Sequence, residues 1–192
     1  MAYEYDVFFS YKHDPGSDAW HEQVKAQLEF WLKQELEKQD VRIFFDTEDI
    51  KTGDQWRERL SDALKQSRCI VCVWSALYFQ SKWCVSEWMT FVRREKLAKR
   101  ALVVAASFHD GEKFPPDARK VQFLDFSPYA NTMPAFWRTE LAVLFLPLLK
   151  KFVHDLAEKI RKAPPFDEAF PVELVSDDKV EPERTIERVA DA

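Results

Sequence analysis

Trp83 and Glu87 stand four residues apart in the run Ser81-Lys82-Trp83-Cys84-Val85-Ser86-Glu87-Trp88. On a helix that spacing puts both side chains on one face. A carboxylate beside an indole suits a sugar-like substrate. The ring packs on a flat group, and the carboxylate accepts from hydroxyls or steadies a developing cation. The same pattern also describes a surface glutamate beside a half-buried tryptophan, and spacing alone leaves both readings open. One turn into its helix, Glu87 is close to the positive end of the helix dipole, which favours the anion.

Other reactive residues carry less. Cys69 and Cys72 have the spacing of a redox or metal pair, but they lie in the apolar run Cys69-Ile70-Val71-Cys72-Val73-Trp74. A strand puts residues three apart on opposite faces, so two buried small hydrophobes is the better reading. Cys84 sits in a helix first turn, where a thiol pKa can fall. The histidines, His13, His21, His109 and His154, show no metal-ligand spacing, and no metal is expected. Asp46 and Asp49 read as loop-capping carboxylates rather than a cation site. Lys150-Lys151 and Arg93-Arg94 read as solvated helix faces.

The elements that must position these residues alternate. Apolar strand patterns fall at Val7-Phe8-Phe9, Val41-Arg42-Ile43-Phe44-Phe45, residues 69–74, Leu102-Val103-Val104-Ala105-Ala106 and residues 121–126. Between the first two, Trp20, Val24, Leu28, Trp31, Leu32 and Leu36 recur at helical spacing over residues 18–38. Trp56, Leu60, Ala63 and Leu64 mark a second helix. Ser81 is the expected N-cap of a third, with Val85, Trp88, Met89 and Val92 on its apolar stripe. Residues 107–119 read as a loop or short irregular helix. A last helix is expected over residues 134–162, interrupted at Pro147. Alternation of this kind predicts an α/β fold, a doubly wound parallel sheet of five strands in the order 2-1-3-4-5 with helices on both faces. A ligand then belongs outside the carboxyl ends of the first three strands, near the switch point. The residues there are Phe9-Ser10-Tyr11-Lys12-His13, Asp46 with the loop 47–54, and Trp74-Ser75.

Composition narrows the chemistry. In 192 residues there are only three glycines, and no Gly-rich phosphate loop occurs. A net charge of −5 argues against nucleic acid as the partner, which needs clustered Lys and Arg. No apolar run of about 18 residues is present, so no spanning helix is expected. Three cysteines, and a start without a basic, apolar leader, predict a reducing cytoplasmic setting. Charge divides the chain: residues 164–192 carry nine acidic and three basic residues, against 24 and 25 in residues 1–163. The expected organisation is a domain over 1–163 and an acidic, Pro-containing tail or linker over 164–192. Phe166, Phe170, Val172 and Leu174 are the residues that could dock the tail's first part.

In register, five segments resemble the TIR (Toll/interleukin-1 receptor/resistance protein) family. Tyr5-Asp6-Val7-Phe8-Phe9-Ser10-Tyr11 resembles its first box. Phe45-Asp46 with Asp49-Ile50-Lys51-Thr52-Gly53 resembles the second box and the loop after it. Residues 67–75 resemble the third strand, residues 81–88 the segment bearing the family's catalytic glutamate, and Phe136-Trp137 the third box. The resemblance covers residues 3–162 and implies the flavodoxin-like TIR fold.

It also implies two activities. Many members of the bacterial type consume NAD+ by cleaving the nicotinamide–ribose bond, and others only assemble with partners as adaptors. Enzymatic members carry a glutamate where Glu87 stands, usually with Trp four residues earlier. By that resemblance Glu87 is catalytic, and Phe9, Ser10, Tyr11, Lys12, Asp46, Ile50, Gly53, Ser75 and Trp83 bind substrate, with Lys12 near a phosphate. NAD+ is then the substrate and no cofactor is needed. Loop 49–53 serves as lid and as a head-to-tail contact that can propagate into filaments. The product is ADP-ribose or a cyclic isomer. The chain also resembles antiphage proteins whose nucleotide product is read by a separate effector. Its length equally suits a domain of a larger receptor. Two further readings are disfavoured. A response-regulator receiver needs acidic residues where Phe9-Ser10 and Trp74-Ser75 stand, and a nucleoside deoxyribosyltransferase would differ in substrate.

Overall fold

The computed structural model describes residues 2–46, 54–109 and 111–175. Five strands form one parallel sheet: β1 (Tyr5–Tyr11), β2 (Ile43–Phe45), β3 (Ser67–Trp74), β4 (Val103–Ser107) and β5 (Phe123–Asp125). Their order is β2-β1-β3-β4-β5, as the alternating pattern predicts. The central strands are the most apolar because helices cover both faces. From Asp6 to Tyr11 every residue of β1 is buried, and so is all of β3 except Arg68.

Helix α1 (Asp18–Glu35) packs with α5 (Glu140–Lys162) on one face. Helices α2 (Asp54–Gln66) and α3 (Lys82–Ala98) lie on the other, against β1 and, for α3, β3 and β4. Short α4 (Pro116–Arg119) precedes β5. A buried cation braces the second face. Arg94 of α3 donates to the Leu64 and Ser67 carbonyls at 3.0 and 2.9 Å, and its guanidinium lies over the Phe91 and Phe170 rings. Burial lowers its pKa to about 10, so it stays charged at neutral pH.

Several boundaries differ from the sequence expectation. Helix α1 ends at Glu35 rather than Lys38, because Glu37 takes a left-handed conformation (φ 52°) and the Lys38 amide turns back to Lys33. Strands β2 and β5 are only three residues each, as suits sheet edges. Residues 134–138 form a separate 3-10 turn, so α5 begins at Glu140. It then runs through Pro147 without interruption. The carbonyl that Pro147 cannot bond belongs to Val143, and both residues are exposed, so water can satisfy it.

Beyond α5 the chain returns across the molecule. The Tyr3 hydroxyl donates to the Pro164 carbonyl, and Phe166 packs edge-on to the Tyr3 ring. The Glu173 amide donates to Thr90 Oγ1 of α3. Residues 164–175 thus strap the N-terminus to α3.

Candidate active site

The order β2-β1-β3 reverses chain direction of winding at β1 and β3, and a crevice opens where their carboxyl ends meet. Strand alternation turns Ser10 toward α3, while Tyr11 stacks on His21 of α1 at 4.6 Å. Register places Ser10 beside Cys72 and Tyr11 beside Val73. Beyond β3 the chain makes a 3-10 turn (Tyr78–Gln80) and enters α3, with Ser81 as N-cap accepting from the Cys84 amide. The first two turns of α3 bring Trp83, Cys84 and Glu87 to the crevice.

The crevice opens to solvent and is walled by Phe9, Tyr11, Trp56, Trp83 and Cys84, with Glu87 at its base. Trp56 and Trp83 meet edge-to-face at 4.9 Å, and the Arg57 guanidinium lies over Trp83. Trp56 Nε1 donates to Asp46 Oδ2 at 2.8 Å, and the Tyr11 hydroxyl donates to the Asp46 carbonyl at 3.0 Å. Asp46 is therefore held as a structural acceptor at the end of β2.

Glu87 is 8% exposed. Its Oε2 shares a hydrogen bond of 2.5 Å with Ser10 Oγ. Ser10 Oγ is also 2.8 Å from the Tyr78 hydroxyl, which donates to the Cys84 carbonyl at 3.0 Å. Burial pushes the Glu87 carboxyl up to about 8, Asp46 adds to the rise, and the Ser10 hydroxyl only partly offsets it. This corrects the expectation that the helix start favours the anion: loss of water outweighs the dipole.

The other candidates are placed as follows. Phe9, Tyr11, Lys12, Asp46, Trp83 and Glu87 line one crevice, and Ser10 lies beneath it on Glu87. Lys12 Nζ donates to the His13 carbonyl and is the residue shared with a neighbouring cavity. Ser75 does not join them. It accepts from the Tyr78 amide and lines that neighbouring cavity with Phe108. Ile50 and Gly53 lie outside the described residues. For Cys84, burial pushes the thiol up to about 12, opposite to the lowering a helix start can give, and Sγ donates to the Tyr11 carbonyl. Cys69 and Cys72 are fully buried, and burial raises both thiols. Among the described residues no cluster of His, Cys, Asp and Glu could hold a metal ion. Nor is any described helix long and apolar enough to cross a membrane.

Sequence reasoning did not single out Trp56 or Tyr78. Trp56 reads as one more apolar position of α2, and Tyr78 as part of the loop after β3. Only their approach to Asp46 and Ser10 gives them a role.

The family model described as TIR domain matches residues 7–136, from β1 through the segment that precedes α5. The chain belongs to the TIR domain family. Among characterised proteins, the TIR chain is 23% identical over 159 residues to the probable 2' cyclic ADP-D-ribose synthase TcpO of Methanobrevibacter olleyae. That match covers 83% of this chain and 39% of the relative's length. Among solved structures it is similar to the TIR domains of the activated Roq1 resistosome that directly recognises the pathogen effector XopQ. The identity is 16%, the match covers 81% of this chain and 84% of that one, and the TM-score is 0.39.

Proposed function

We propose that this TIR domain cleaves the nicotinamide–ribose bond of NAD+, with Glu87 as the catalytic carboxylate. The observation that carries this reading is the buried Glu87 carboxyl group at the base of an aromatic crevice, held by a hydroxyl from β1 at the switch point of the sheet. The name of the TcpO relative, a probable cyclic ADP-D-ribose synthase, supports it.

The bond explains the parts. Nicotinamide departs from NAD+ as a neutral leaving group, taking the bonding electron pair onto its ring nitrogen, so no acid is required. Positive charge then builds on the ribose, as in glycoside hydrolysis. An ionised Glu87 accepts hydrogen bonds from the ribose hydroxyls and stabilises that charge, most strongly where water is excluded. Trp83 and Trp56 pack beside the nicotinamide and ribose, and Phe9 and Tyr11 close the crevice. Lys12 at its edge meets a phosphate. Attack by water gives ADP-ribose. Attack by a ribose hydroxyl or adenine ring nitrogen of the same molecule gives a cyclic isomer. Water and the hydroxyl each release one proton on attack, whereas the ring nitrogen carries none and the adenine takes up the positive charge.

The family resemblance supports a wider setting. Activity depends on assembly through loop 49–53 of a neighbouring copy, and the nucleotide serves an immune, antiphage signal read by a separate effector in the cytoplasm.

The test is incubation of concentrated protein with NAD+ and separation of products by chromatography and mass. Nicotinamide release is expected, falling by about 10²–10³-fold in both Glu87→Ala and Glu87→Gln, the loss typical of removing one transition-state contact. Products one water apart in mass separate linear from cyclic. Release that survives in both variants would remove Glu87 from the chemistry. No release at any concentration, with a crowding agent present, would favour a TIR adaptor that acts by association alone.

A further inference from the structure

Behind Glu87 runs a chain of oxygen atoms: Glu87 Oε2, Ser10 Oγ, the Tyr78 hydroxyl and the Cys84 carbonyl, with successive separations of 2.5, 2.8 and 3.0 Å. Each is a hydrogen-bond distance, so the chain needs three hydrogens. Ser10 and Tyr78 supply one each. The Cys84 carbonyl can only accept. If Tyr78 donates to that carbonyl, Ser10 must donate to Tyr78, and the hydrogen between Ser10 and Glu87 must come from Glu87 itself. If Glu87 is ionised, both hydroxyls reverse: Tyr78 donates to Ser10, Ser10 donates to the carboxylate, and the Cys84 carbonyl loses its Tyr78 donor. Ser10 is 1% exposed and Tyr78 is fully buried, so the count is made inside the protein.

We propose that Tyr78 is a positioning residue of this site, which acts through Ser10 to hold Glu87 as the neutral acid in the free protein and to aim its carboxylate once the proton has left. The proton leaves to water through the crevice mouth. The proton count stands on geometry alone, whereas its meaning for catalysis rests on the NAD+ reading above.

The surroundings agree. Asp46 at the end of β2 opposes ionisation of Glu87. The neighbouring thiols of Cys72 in β3 and Cys84 in α3 are kept neutral by burial, as is the Tyr78 phenol. Tyr11 at the end of β1 is likewise raised by burial. Lys12, which lines the crevice, donates its ammonium hydrogen to the His13 carbonyl rather than to Glu87. The cationic nicotinamide ring of the proposed substrate would supply the missing charge and draw the proton off.

Two substitutions move Glu87 in opposite directions. Tyr78→Phe removes two hydrogen bonds from the acid form of the chain but only one from the ionised form, so the Glu87 pKa falls by roughly one pH unit. Ser10→Ala removes two hydrogen bonds from either form, but in the ionised form one of them is the stronger, charge-assisted bond to the carboxylate, so the pKa rises. The measurement is a carboxyl-carbon NMR titration of glutamate-labelled full-length protein without substrate, with Glu87 assigned by Glu87→Gln. In the unmutated protein the Tyr78 ring resonances must titrate together with Glu87, a readout that needs no variant to fold. Opposite shifts, with Tyr78 following Glu87, support the proposal. Shifts of the same sign, or a Tyr78 ring blind to Glu87, would overturn it. If NAD+ is cleaved, the pH profile of kcat/KM should move by the same amount. If it is not cleaved, the titration still decides the proton chain, and only the catalytic reading is lost.

Discussion

At the scale of the residue, Glu87 is a group whose environment opposes its charge. Its folded pKa of about 8 lies above the ordinary glutamate value, so between pH about 4.5 and 8 the folded protein binds a proton that the unfolded chain has released. Stability must therefore fall as pH rises through that window. Glu87→Gln keeps the shape and cannot ionise. Urea unfolding should show it more stable than the parent at pH 8, by on the order of a few kcal/mol, with little difference at pH 4. The same ionisation should govern activity. The kcat/KM for NAD+ in the free enzyme is expected to climb up to about pH 8 and then level off. Parallel pH–stability curves for parent and variant would mean that Glu87 is already charged in the fold.

At the scale of the element, α3 carries the site. It starts on Ser81, whose hydroxyl accepts from the Cys84 amide, and its first two turns present Trp83 and Glu87 together. Losing that cap should cost about 1 kcal/mol, seen as a lower urea midpoint for Ser81→Ala with an unchanged denaturant slope. The cap, the helix and its crevice-facing pair are legible in the sequence because capping and helical spacing are local properties. So are the central strands, whose apolar runs are long enough to stand out. The edge strands are less legible. Residues 41–45 and 121–126 read as strands of five and six positions, yet only three residues of each pair with the sheet. Pairing depends on where the neighbouring strand ends, which the local sequence does not record. Pro147 likewise reads as a break, and only its solvent-facing position lets α5 continue.

At the scale of the whole molecule, two features tie distant parts together. One is the strap over residues 164–175, where Phe170 covers the buried Arg94 guanidinium and Glu173 bonds α3. Phe170→Ala should lower stability by about 1–2 kcal/mol, read as a shifted thermal midpoint. It should leave the Glu87 titration unchanged, since Phe170 is not part of the crevice. The other is the pH balance. Burial lowers His21 to about 4, so this neutral histidine contributes stability above pH 6.5 that is lost as pH falls toward 4. Glu87 acts with the opposite slope, and between about 6.5 and 8 it acts without His21.

The sequence by itself determined the order of elements, and hence the parallel sheet with its switch point between β1 and β3. It also determined that Trp83 and Glu87 share a helix face, because periodicity, capping and the handedness of crossovers are set by near neighbours in the chain. Only the tertiary structure decided what surrounds Glu87. Ser10 comes to it from 77 residues away and Tyr78 bonds Ser10 across 68. Trp56 secures Asp46 beside them, and Ser75 turns to a different cavity. Whether Glu87 carries a charge follows from that enclosure and not from its place in a helix. Ionisation is governed by the water and partners a group loses or gains on folding, and those are assembled from segments far apart in the chain.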